Sequence, residues 1–222
     1  MSTNSATAVL EAGPRSIDLF GLLDWQTYHN IVLSPAQVTT LGPFPWSDAV
    51  LNSRCPFHNG KMVRETHFAF AGLDTITITE LQRLYPASGQ PRFYSYADTW
   101  YANEQFATTV TLGLRWYLLL KDIVPDSEGK KFAEQVAMLP AEYEAPSAVA
   151  ETAKDLFVKT KTGVFVNPNR YARTSDPGSG GSRVSVGVCV ASGVDVHYFT
   201  DDYRNGHIGV GASRKFEKTL VG

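Results

Sequence analysis

The stretch Arg183-Val-Ser-Val-Gly-Val-Cys-Val-Ala191 alternates valine with mostly smaller residues, the period-two signature of a β-strand that buries one face. Val184, Val186, Val188 and Val190 share one side; Ser185, Gly187, Cys189 and Ala191 share the other. Glycine inside a strand often marks a bulge, and a bulge at Gly187 would exchange the two sides for the residues that follow. Outward from this strand, Val164 to Val166, Tyr171 to Thr174, Val194 to Phe199 and Ile208 to Phe216 are further short β-like runs, parted by Gly, Asp, Asn and Ser clusters. The carboxy-terminal part of the chain therefore reads as several strands joined by tight turns.

Two helices precede these strands. Ser147 is placed to cap one in which Val149, Ala153, Leu156, Phe157 and Thr160 form a stripe, with Gly163 as left-handed terminator. Asp126 or Ser127 opens the other, with Phe132, Val136 and Leu139 on one face and Pro140 closing it. Leu114 to Val124 is dense in large apolar residues and reads as a strand covered on both faces, in preference to a helix. The order strand, helix, helix, strands, with a last strand free to return to the first, predicts an α+β domain whose ends meet. Residues 1–91 read as an irregular accessory region broken by Pro14, Pro35, Pro43, Pro45, Pro56 and Pro86. Within it, Ser16 caps a short helix through Leu19, Leu22, Leu23 and Gln26, His67 to Phe70 is a strand, and Ile78 to Leu84 is a helix capped by Thr77 or Thr79. Residues 92–222 form the main domain.

Composition narrows the function. The chain has 222 residues and two cysteines, enough length for an apolar core and too few thiols for a disulfide framework. Its formal charge is −2 and its 20 basic side chains are scattered, so no nucleic-acid partner is expected. Apolar runs such as Trp116 to Leu120 fall far short of the roughly 20 residues that span a bilayer. No membrane span is expected. The segment Met1 to Thr7 lacks the basic and apolar regions of a secretory signal, which suits a cytoplasmic or particle-associated protein.

Four segments carry a resemblance: Tyr171-Ala-Arg-Thr-Ser-Asp176, Ser182-Arg-Val-Ser-Val-Gly187, Gly193-Val-Asp-Val196 and Ile208-Gly-Val-Gly-Ala-Ser-Arg-Lys215. Together they resemble the carboxy-terminal part of C-type lectin-like domains, most of all the formylglycine-generating-enzyme branch that includes the variable proteins of diversity-generating retroelements. The order of elements extends the likeness over residues 92 to 218. The resemblance implies a scaffold of two helices and a mostly antiparallel sheet, termini close together, whose last strands and loops display a ligand-binding face. In retroelement targets that face carries the residues altered by mutagenic retrohoming. The enzyme members differ: only Cys189 lies in this domain, with no second cysteine for formylglycine-type oxidation.

Read on its own chemistry, Asp195-Val-His-Tyr-Phe-Thr-Asp-Asp-Tyr-Arg-Asn-Gly-His207 combines amphipathic aromatics with adaptable hydrogen-bonding groups, as antibody loops do. It lies between two strands and is held at both ends, which lowers the entropy lost on binding. The expected ligand contacts are Ser182, Ser185, Val188, Asp195, His197, Tyr198, Thr200, Tyr203, Asn205 and His207. The expected partner is a macromolecular surface, foremost a protein. Arg173, Asp176, Arg183, Asp202, Arg204 and Arg214 are candidates for ion pairs within the scaffold. No catalytic group, metal or cofactor is expected. Cys55-Pro-Phe-His58 with His67 offers three zinc ligands and lacks a fourth. Cys189 and His197 lack an orienting third group, and Asp195, Asp201 and Asp202 lack the spaced oxygens of a calcium loop. Arg92-Phe-Tyr-Ser-Tyr96 with Trp100 and Tyr101 reads as a packing surface between the accessory region and the domain, and Gly178-Ser-Gly-Gly181 as a turn. The reading is a non-enzymatic recognition protein. Its competitors are a structural component of a particle and a formylglycine-generating-type enzyme with an activated Cys189.

Overall fold

The computed structural model describes residues 17–216. In chain order its elements are β1 (Leu19–Phe20), α1 (Leu22–His29), α2 (Pro35–Leu41), α3 (Asp48–Leu51), α4 (Val63–Thr66), β2 (His67–Ala71), α5 (Ile78–Leu84) and α6 (Gln105–Thr108). Then follow β3 (Trp116–Leu120), α7 (Phe132–Val136), β4 (Tyr143–Glu144), α8 (Ala148–Thr162), β5 (Tyr171–Pro177), β6 (Ser182–Val190), β7 (Gly193–Thr200), β8 (Ile208–Val210) and β9 (Ser213–Arg214). They build an α+β structure with two sheets, ordered β1-β2-β3-β9-β4 and β7-β6-β5-β8. Among the described residues no helix is long and apolar enough to cross a membrane.

Local sequence explains several elements directly. Thr77 caps α5 by accepting from the Glu80 amide, and Ser147 caps α8 while Gly163 ends it at φ 73°. All of β3 is buried, which rewards its unbroken apolar run with a place mid-sheet. Other expectations are corrected. The Ser16 cap lies outside the described residues; the helix near it begins at Leu22, and Leu19 is in β1 instead. Residues before 92 hold five short helices and two strands of the larger sheet. Pro35 starts a helix behind the Ser34 cap rather than breaking one, because proline's missing amide costs nothing at the first helical position.

The helix expected from Asp126 or Ser127 starts only at Phe132, behind Lys131. Asp126 adopts φ 61°, and the Ser127 hydroxyl is spent on Val124 O and Val210 N. Val164 to Val166 forms no strand, and Val164 is exposed. The run Ile208 to Phe216 divides: β8 pairs with β5 in parallel, while β9 returns to β3 with Ser213 opposite Leu119. Strand periodicity along one segment does not reveal that its two halves serve different sheets.

Both sheets and the pre-92 segments meet around α8. Phe157 stacks on Phe20 at 4.1 Å and packs edge-on against Trp25 and Phe70. One apolar cluster runs from Phe20 to Val196, so the core crosses the expected boundary at residue 91. Because both sides of α8 are covered, its polar side is buried as well: Glu151, Lys154 and Asp155 have no exposed surface. Lys154 Nζ donates to Glu151 Oε1 at 2.6 Å and to Lys121 O at 2.9 Å, and lies 3.1 Å from Asp155 Oδ1.

Two carboxylates thus share one ammonium in the buried interior, where a surplus negative charge is costly. Burial pushes Asp155 up to about 7, against the pull of Lys154. The folded state therefore holds this proton more tightly than the unfolded chain, whose aspartate titrates near 4. Stability from this group is complete below about pH 4 and is lost as pH rises towards 7. Between these values Asp155→Asn should flatten a slope on the order of 1 kcal/mol per pH unit, measured by urea unfolding across the window. An unchanged slope would refute the assignment.

Candidate ligand-binding face

Register places the face. Tyr171 lies opposite Gly187, which lies opposite Asp195; Arg173, Ser185 and His197 form the next row; Pro177, Arg183 and Phe199 the third. The opposite side carries Val184, Val186, Val194 and Val196, all buried. The ladder between β6 and β7 breaks between Gly187 and Val190, with Val188 at φ 44°. Beyond the break Cys189 is buried and Val188 and Val190 are not, so the bulge exchanges the sides. Gly187 is required here: a Cβ would lie 2.0 Å from Arg170 O, the carbonyl that accepts the Val188 amide.

The free edge of β7 is covered by residues 92–101. Val194 donates to Arg92 O at 2.8 Å, Tyr94 donates back to Val194 O at 2.9 Å, and the Trp100 indole donates to Val196 O at 2.9 Å. Gly193, at φ 126°, permits this approach, since a Cβ there would sit 2.2 Å from the Phe93 carbonyl carbon. The aromatic cluster of residues 92–101 thus borders the face.

The loop after β7 is pinned from beneath. Arg173, fully buried, donates to Lys130 O, Gln135 Oε1, Thr200 O and Tyr203 O at 3.0, 3.1, 3.0 and 2.5 Å. Three ion pairs hold the loop's flanks: Arg183 with Asp201 at 2.9 Å, Lys131 with Asp202 at 2.7 Å and Arg204 with Glu134 at 2.8 Å. Of the expected scaffold ion pairs, those of Arg183, Asp202 and Arg204 are present. Arg173 instead binds neutral oxygens, Asp176 accepts from the Ala148 amide, and Arg214 donates to the Tyr143 hydroxyl.

Above this anchored backbone, Tyr198 and Tyr203 are 47% and 45% exposed, and Thr200 and His207 are exposed. Val188, Asp195, His197 and Asn205 are half-buried. Tyr203 stacks on Phe199, with ring centroids 5.6 Å apart; His197 stacks on Phe199 at 4.8 Å, and Tyr198 packs edge-on against Trp100 at 4.7 Å. Two expected contacts are corrected. Ser182 is buried and donates to Ser179 O; Ser185 is wholly buried in the row between Arg173 and His197. Both side chains are therefore withdrawn from the exposed surface. Asn205 bonds within the loop, its Oδ1 accepting from the His207 amide and its Nδ2 donating to the Tyr203 hydroxyl. Sequence reasoning missed Tyr94, Tyr96, Trp100, Tyr171 and Phe199 as members of this surface. Their aromatic density was visible, but their proximity depends on register.

The other motifs have local roles. His67 is buried, with Nδ1 near Thr66 Oγ1 and Val63 O and Nε2 near the Tyr143 hydroxyl; burial lowers it to about 3. Among the described residues no three His, Cys, Asp or Glu side chains gather as metal ligands. Cys189 lies in the core, and burial pushes its thiol far up, away from the thiolate form. Two clefts of about 610 Å³ lie at the β4 and β9 end of the larger sheet, lined by Arg115, Tyr117, Glu144 and Lys215, and hold none of the expected contacts. No family model, curated protein or solved structure matches this chain.

Proposed function

We propose that the protein is a non-enzymatic recognition module with a C-type lectin-like scaffold, and that β7 and the loop to His207 present its ligand-contacting side chains. One observation carries this reading: exposed tyrosines and a histidine stand on a backbone whose hydrogen bonds and ion pairs are met from beneath. Side chains can then vary without disturbing the fold, as a diversified retroelement protein would require. Exposed tyrosines interleaved with polar groups suit a protein ligand.

Joint replacement of Tyr198, Tyr203 and His207 by alanine tests it. Exposed side chains contribute little to folding, so stability should fall by about 2 kcal/mol or less. Binding to partners selected from a displayed peptide library should be lost. Collapse of folding, or full retention of binding, would overturn the reading. At the DNA level, the retroelement reading expects a near-copy of the 3′ coding end beside a reverse transcriptase, differing mainly at template adenines.

A further inference from the structure

Among the described residues Asp195, like Asp176, which accepts from the Ala148 amide, lacks the ion pair that other carboxylates around this sheet have. Asp201, Asp202, Glu134 and Glu128 each have a cationic partner within 3.4 Å. Asp195 has no ion pair among the described residues; its Oδ1 accepts from the Tyr96 hydroxyl and its Oδ2 from the Tyr171 hydroxyl, the latter at 2.5 Å. The phenols come from opposite sides. Tyr96 belongs to the covering segment, and Tyr171 reaches across β6, where Gly187 in the same row has no side chain to block it. Burial first, and the carboxylate second, raise both phenols well above the ordinary tyrosine range, so they remain donors. Tyr94 packs edge-on against Tyr96 at 5.0 Å, and His197 lies 5.9 Å from the Tyr171 ring.

A carboxylate held in one orientation by two phenol donors, with no ion pair among the described residues, has the chemistry that selects a cation. The carboxylate supplies charge and its remaining acceptor lone pairs, and the two phenols fix its orientation. We propose that Asp195, Tyr96 and Tyr171 form a receptor for a basic side chain, an arginine guanidinium or lysine ammonium, presented by a protein ligand. The proposal rests on the recognition reading above and adds the partner chemistry at one position of the face. Its position half-buried between β7 and the covering segment makes Asp195 a fixed anchor, while Tyr198 and Tyr203 offer adaptable contacts around it.

The probe is acetyl-arginine methylamide, titrated into the full chain and followed by backbone amide shifts. Saturable shifts are expected around Tyr96, Tyr171 and Asp195. Acetyl-citrulline methylamide, of equal shape and no charge, should bind roughly tenfold more weakly or not at all. Asp195→Asn, which keeps an acceptor for one phenol, should weaken the arginine probe by a similar factor. Equal binding of the citrulline probe, or shifts elsewhere only, would overturn the proposal. That comparison uses the unaltered chain and stands even if the variant misfolds. If library-selected peptides lose binding in the Tyr198, Tyr203 and His207 triple variant yet carry no basic residue, recognition holds and the cation receptor fails.

Discussion

Lys154→Met lowers the melting temperature by about 6–20 °C, or prevents folding at neutral pH. Among the described residues the ammonium is the one cation bonded to Glu151 and Asp155, which are both fully buried. Removing one partner of a buried ionic group costs about 3–5 kcal/mol because uncompensated charge stays inside, and each kcal/mol is worth about 2–4 °C in a chain of this size. The triple replacement Glu151→Met, Lys154→Met and Asp155→Leu should recover most of that loss, since apolar side chains need no charge partner. Calorimetry of the single and triple variants at pH 7 decides the matter. A single variant as stable as the parent would mean that the carboxylates are neutral without Lys154.

The second large effect is expected at Arg173. Arg173→Met strands three backbone carbonyls and the Gln135 side chain, each an acceptor of its guanidinium. Unpaired buried acceptors cost about 1–3 kcal/mol apiece, with partial relief where water enters. We expect a net loss on the order of 3 kcal/mol, together with faster amide exchange over residues 200–207. Arg173→Lys should recover little, because an ammonium cannot supply the planar fork that spans α7 and the loop. Exchange confined to its parent rate in that loop would show that the flanking ion pairs suffice without the arginine.

The two variants separate parts of the structure that differ in legibility. Helix α8 was readable from Ser147, the apolar stripe and Gly163, since caps and periodicity act within a few residues. The burial of Glu151, Lys154 and Asp155 was not, because it requires a second sheet on the polar side of the helix. The β6 bulge was readable from Gly187, and the inversion of Val188 and Cys189 follows it. Ser185, by contrast, alternates like an outward residue and is nevertheless wholly buried, in the row between Arg173 and His197.

The amino-acid order by itself determined β5, β6, β7, α5, α8 and the aromatic and polar make-up of the segment from Asp195 to His207. Each of these follows from neighbours along the chain: side-chain alternation, caps and glycine conformations. Tertiary structure alone decided that β8 and β9 join different sheets, that Asp195 meets phenols from residues 96 and 171, and that Arg173, donating to carbonyl and amide oxygens, supports the loop. Those contacts join residues far apart in the chain, and their energies depend on burial that only the assembled sheets create.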